Sequence, residues 1–217
     1  MSINLRGGYL ARLDLVIRIP REVPIMVLPN VVLFPHSLLP LHIFENRYRQ
    51  MLSHCLTGER MFSVASAKPG IREPRGVEDM RSVAGIGLIR ACVGNENGTS
   101  NLVLQGLARV RILDWTQEEP FRIAEIELIE SRIGNEIEAD ALSEKVKELC
   151  VRIQQLGLPL PANLLEQMHQ IDNPEVLADV VGAAFVNELA PRQQLLESQD
   201  VAERLRLLIQ ILRAQAG

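Results

Sequence analysis

Between Leu28 and Leu56 the chain reads LPNVVLFPHSLLPLHIFENRYRQMLSHCL, apolar runs cut by Pro29, Pro35 and Pro40 and followed by a change of period. A proline cannot donate to a sheet ladder, so Val31 to Phe34 and Leu38 to Leu41 are expected as short strands with turns or edges between them. After Ile43 the spacing turns helical: Phe44, Tyr48, Met51, Leu52, Cys55 and Leu56 fall on one face, with Asn46, Arg47, Arg49, Gln50 and Ser53 opposite. That pattern predicts one amphipathic helix, stopped at Gly58 by a left-handed cap.

Elsewhere the first half of the chain is β-like. Leu13, Leu15, Ile17 and Ile19 alternate with Arg12, Asp14 and Arg18, and Met61 to Ala67 is a second strand. Lys68 to Ser82, broken by Pro69, Gly70, Pro74 and Gly76, is expected as an exposed loop and a candidate recognition element. Gly85 to Gly94, Asn101 to Gln105, Leu107 to Trp115 and Phe121 to Ile129 read as short strands, with Asn95-Glu-Asn-Gly98 as a hairpin connection. The last of these is apolar on both faces and is expected to be central. The pattern through Glu130 is that of a small, mostly antiparallel barrel.

After Ser131 helical spacing takes over. Ala141, Val146, Leu149, Cys150 and Ile153 line one helix, ended by Gly157 and Pro159, and Leu164, Leu165, Met168 and Ile171 mark another. Asn173 can cap a third helix with Pro174 in its first turn, where a missing N–H costs nothing. Asp200 and Glu203 resemble a capping box before a stripe of Val201, Leu205, Leu208, Ile209 and Leu212.

The proline-punctuated block and its helix resemble the opening of the LON substrate-binding domain, the N-terminal domain of ATP-dependent protease La, which also occurs as a stand-alone protein. Further along, Gly85-Ile-Gly-Leu-Ile-Arg90 and Asn101 to Ile112, with its Gln-Gly dipeptide before an Arg-containing strand, resemble the paired central strands of that family. Pro174 to Asp179, Gln194 to Glu197 and Asp200 to Leu205 resemble its helical tail in order and spacing. The resemblance runs from residue 24 to 213 and implies an α+β architecture: a PUA-like β pseudobarrel over residues 1–130, with 1–23 an unmatched extension, then an α-helical bundle over 131–217. It also implies a module that binds polypeptide.

Composition narrows the chemistry. The net charge is −4, with 15 basic and 14 acidic groups in residues 1–130 and 8 and 13 in 131–217, and there is no long single-sign run. Neither a nucleic-acid tail nor a membrane anchor is indicated. Cys55, Cys92 and Cys150 lack a CxxC spacing and sit among apolar residues, as buried thiols in a reducing cytoplasm would. The start of the chain has no apolar core of an export signal. No GxxxxGK[ST] phosphate cradle is present, and the chain ends at Gly217 before the unfoldase and peptidase modules of protease La would begin. His36, His42, His54 and Cys55 match no zinc spacing, and Ser37, Ser63 and Ser66 lack a nucleophile elbow. No catalytic residue, metal or cofactor is therefore expected.

Candidate binding residues remain. Phe34, His36, Leu38 and Leu39 are candidates for a peptide-binding patch, with core-facing burial as the competing expectation for the apolar ones and for Ile43. Arg47, in a cluster with Glu45 and Arg49, and Arg109 and Arg111 are candidate polar contacts. Arg90, Arg109 and Arg111 on neighbouring strands would form a basic stripe, and the PUA-like fold has RNA-binding members. Glu118, Glu119, Glu125 and Glu127 offset that stripe, so nucleic acid is the second choice behind unfolded or apolar polypeptide. Association with a second copy stays open.

Overall fold

The computed structural model describes residues 2–3, 17–71, 74–157 and 163–216. Its main sheet is built from β3 (Glu22–Leu28), β4 (Leu38–Ile43), β5 (Met61–Ser66), β6 (Val83–Gly94), β7 (Ser100–Gln117) and β8 (Ile123–Ile129). A small ribbon pairs β1 (Ser2–Ile3) with β2 (Ile17–Arg18); Leu13 and Leu15, expected in that neighbourhood as a strand, lie outside the described residues. The strand order is β4-β7-β6-β5-β3-β8, and β8 also pairs back onto β7. The pairings β7–β6–β5–β3–β8–β7 therefore close a ring of five strands, antiparallel except for β3 with β5. β8 is paired along both edges, as expected of a central strand. β4 is left outside the ring as an edge strand, bonded among the described residues only to β7.

Two departures from the sequence expectation have one cause. Val31 to Phe34 is not a strand: it is an extended crossing whose backbone presses on β6 and β7. A Cβ on Gly85 would lie 2.0 Å from the Leu33 carbonyl oxygen, and one on Gly106 would lie 1.9 Å from that of Phe34. Only glycine permits such contact. Gly106, which the sequence presents as a break between two strands, thus sits inside one continuous β7. His36 N–H donates to Gly106 O and Gly106 N–H to Ser37 O, at 3.0 and 2.9 Å, and this holds the crossing in place. β3 itself has no signature in the sequence, because Pro24 interrupts it and its other residues are nearly all apolar.

Helix α1 (Asn46–Thr57) buries Tyr48, Met51, Leu52 and Cys55 as the periodicity predicts. Phe44 lies before the helix and is exposed. Gly58 does end α1, though not as a left-handed cap. Its φ is −110°, its N–H is shared between His54 O and Cys55 O, and the left-handed residue is Arg60, two positions on. After the 3-10 turn Val77–Asp79, the remaining helices are α2 (Glu136–Gln155), α3 (Leu164–His169), α4 (Pro174–Phe185), α5 (Leu189–Glu197) and α6 (Val201–Ala216). The buried stripe of α2 starts at Ala139 and Ser143, not at Ala141, because Ala141 falls off the line through Val146, Leu149, Cys150 and Ile153. Gly157 takes φ 79° just past that helix, while Pro159 lies outside the described residues.

Asn173 caps α4 by accepting from the N–H groups of Glu175 and Val176. Half of the capping box on α6 is present: Glu203 N–H donates to Asp200 Oδ1 at 2.9 Å, while the Glu203 carboxylate accepts from Ser198 instead. The apolar core of this helical layer reaches across to Val32, Phe34 and Val83, so it packs on the crossing and on β6.

Candidate functional site

Burial removes Arg109 and Phe34, both candidate binding residues from the sequence, from any surface. Phe34 is fully buried, its ring against Gly182 of α4 and beneath the Arg192 guanidinium, 5.3 Å from centroid to cation. Arg192 also donates to Val32 O, Ala183 O and Val186 O, tying α5 to the crossing. Arg109 is 2% exposed and meets Asp179, itself 1% exposed, through both terminal nitrogens, with its Nε on Leu196 O at 3.0 Å. Arg204 shares the same carboxylate at 3.1 Å and donates to Ser131 Oγ, with Glu175 3.8 Å away. Two guanidinium groups and two carboxylates thus bolt β7 to α4, α5 and α6. Burial is what lowers the Arg204 pKa, with like charge from Arg109 second.

The basic stripe expected from Arg90, Arg109 and Arg111 does not form. Arg109 is enclosed, Arg111 pairs with Glu127 at 3.6 Å, and Arg90, on β6, donates to the side-chain amide of Gln105. Arg47 pairs with Glu45 at 2.8 Å and stacks over Tyr48. It lines an open cleft of about 630 Å³ with Glu45, Pro74, Arg75 and Arg122. Arg122 is occupied in stacking on Trp115 and donating to the Pro74 and Arg75 carbonyls. The loop Lys68 to Ser82 therefore forms one wall of this cleft, though residues 72–73 lie outside the described set.

His36 is half-buried at φ 62°. Burial lowers its pKa below 6.5, against a raising influence of Asp179 and Glu175 and alongside a lowering one of Arg109. Between that lowered value and the unfolded value the unfolded chain binds more protons, so stability rises with pH across this window. The contribution is present above about pH 6.5 and is lost as pH falls toward the folded value. Asparagine tolerates the left-handed conformation, so we expect His36→Asn to flatten the stability profile just below about pH 6.5, measured by urea unfolding at each pH. An unchanged slope would exclude His36 as its source.

What remains on the surface is the outer face of β4 and its neighbours. Register pairs Leu38 with Gln105, Pro40 with Val103 and His42 with Asn101, and then Val103 with Ala91 and Asn101 with Val93 of β6. Paired residues share a face. Leu38 is 65% exposed, Phe44 62% and Val93 65%. Phe44 stacks on His42 at 6.0 Å, and His42 Nδ1 donates to Asn101 Oδ1 at 2.8 Å. Leu39, Leu41 and Ile43 point the other way, toward the core under α1. Of the four patch candidates, then, Leu38 alone is open, Leu39 faces inward, and Phe44 and Val93 join it. Val93 was detectable as an apolar residue at the exposed end of a hairpin, and Phe44 as the residue continuing the Leu38, Pro40, His42 alternation.

Cys55 and Cys150 are poor nucleophiles, because burial pushes both thiols up to about 12, while Cys92 is only half-buried. Among the described residues no group of His, Cys, Asp or Glu is arranged to hold a metal ion, and no helix is long and apolar enough to cross a membrane.

The sequence and the fold both have known counterparts. Residues 22–214 match the family model of the ATP-dependent protease La (LON) substrate-binding domain, and the chain belongs to that family. It is 29% identical over 195 residues to the Lon protease of Anaeromyxobacter dehalogenans and 26% identical over 194 to that of Escherichia coli, covering 89% of this chain in each case. It spans 23% and 25% of those relatives, about a quarter of their length. The N-terminal domain of a Mycobacterium avium complex Lon protease superposes with TM-score 0.70 at 22% identity, over 88% of this chain and 98% of that one. The Lon N-terminal domain protein of Xanthomonas campestris does so at 0.62 and 19%, over 87% and 97%. These two show a shared fold.

Proposed function

We propose that this chain is a polypeptide-binding module that holds an extended segment without cutting it, at the outer face and free edge of β4. The observation that carries this reading is the cluster of exposed apolar side chains, Leu38, Phe44 and Val93, beside a strand that among the described residues is paired on one side only. Natural edge strands are commonly protected against added strands. Here Pro40 is the one such device within β4. An incoming chain can pair along the remaining edge while alternate side chains rest on the apolar face. The substrate-binding character of the family supports the same occupant, an unfolded or apolar stretch of protein.

The fold reading that accompanies this is a PUA-like pseudobarrel, supported by the closed five-strand ring, with a β unit in residues 1–130 and a helical unit in 131–217. The ion cluster around Asp179 holds the two together, so that β4 is presented from a stiff base. RNA binding lacks a matching support, since Arg109 and Arg111 are already engaged.

Burying an exposed leucine or phenylalanine is worth roughly 1.5–3 kcal/mol. Replacing both Leu38 and Phe44 with Ser is therefore expected to weaken binding of a permanently unfolded polypeptide by about tenfold or more. Thermal stability should stay near wild type, as both side chains face water. Fluorescence anisotropy against a labelled reduced, alkylated protein measures it; equal affinity for the double variant would sink the assignment of the face.

A further inference from the structure

The register of β6 against β7 slips between Ile89 and Ala91, which leaves Arg90 as the extra residue of a bulge. Bulges re-aim side chains. Here the exposed Arg90 is aimed so that its Nε donates to Gln105 Oε1, and Gln105 is the residue opposite Leu38. A permanent cation is thus held at the Leu38 end of the apolar face. Its partner there is an amide, and among the described residues no carboxylate pairs with it, in contrast to Arg47, Arg111 and Arg206, which each have a glutamate. Along the register of β4 the outward residues of the three strands include no Asp or Glu, in a chain whose net charge is −4.

From this we infer, resting on the reading of β4 as a polypeptide seat, that the face selects an extended apolar segment carrying an acidic side chain at the end beside Leu38. With Nε fixed on Gln105, the terminal nitrogens of Arg90 remain to grip a carboxylate in a planar fork. A second copy of the chain fits this requirement poorly, because a face meeting itself would contribute another Arg90 and no carboxylate.

The test uses the full chain and three labelled, C-terminally amidated peptides with alternating apolar positions, differing only in a terminal Glu, Gln or Lys. At about 0.15 M ionic strength an exposed ion pair is only partly screened. Wild type should bind the Glu peptide about two- to fivefold more tightly than the Gln peptide and up to about tenfold more tightly than the Lys peptide. Arg90→Glu should reverse the order and Arg90→Gln should level it, each with wild-type circular dichroism. Equal binding of all three peptides by wild type, or an unreversed order in Arg90→Glu, overturns the acidic preference while leaving the apolar seat standing. Binding of none of the peptides removes the seat and the preference together. A wild-type dimer that Leu38→Ser/Phe44→Ser dissociates would replace the peptide with a second copy and overturn the inference.

Discussion

Replacing Asp179 with Ala is expected to lower the unfolding free energy by about 3–5 kcal/mol, a large part of a typical domain's stability. The carboxylate receives both terminal nitrogens of Arg109 and one of Arg204, and all three side chains are buried. Without it Arg109 loses its one carboxylate partner among the described residues, and Arg204 retains Glu175 at 3.8 Å. An uncompensated buried charge costs far more than the pair contributes when intact. It follows that replacing Arg109, Asp179 and Arg204 together with apolar residues of similar volume should recover most of the loss. Urea midpoints for the single and triple variants measure both effects. A loss below about 1 kcal/mol for Asp179→Ala would mean that the cluster does not bear on stability as its burial implies.

Gly106→Ala should be nearly as damaging, by about 3 kcal/mol, at the upper end of overpacking costs. The added methyl would meet the Phe34 carbonyl, which is backbone and cannot swing aside as a side chain would, and whose ring is packed against α4. Relief requires moving the crossing that leads into β4. Gly94→Ala, where the added carbon meets nothing within 4 Å, is the control and should be close to neutral. Equal unfolding midpoints for the two variants would refute the close approach of the crossing to β7.

These two sites also show where the sequence runs out. Features governed by neighbours in the chain were legible: Asn173 and Pro174 at the head of α4, the stripe of α6, the Asn95 to Gly98 turn and the two-sided pattern of β8. Features governed by distant partners were not. Phe34 looks like any apolar strand residue until α4 covers it, and Arg109 lies 70 positions from the carboxylate that claims it. Gly106 carries the mark of a strand break, yet its missing side chain serves a backbone crossing that no local pattern announces. β3 escaped because its apolar residues face partners on both sides and so show no alternation. The site is legible in part: Leu38 stands out in the sequence as a patch candidate, while Phe44 fits the helical spacing that continues at Tyr48, and Val93 is one apolar strand residue among many. The family resemblance located the block that holds β4; only the register of β4 on β7 told its outward residues from its inward ones.

The most direct test of that face is amide hydrogen exchange on the full chain, with and without a saturating, permanently unfolded polypeptide. The account predicts slowed exchange concentrated in Leu38 to Phe44, with smaller protection in Ala91 to Val93 and Asn101 to Gln105, and little change around Arg47, Arg75 and Arg122. Protection confined to the Arg47 cleft or to the helices, with β4 unchanged under saturation, would contradict it.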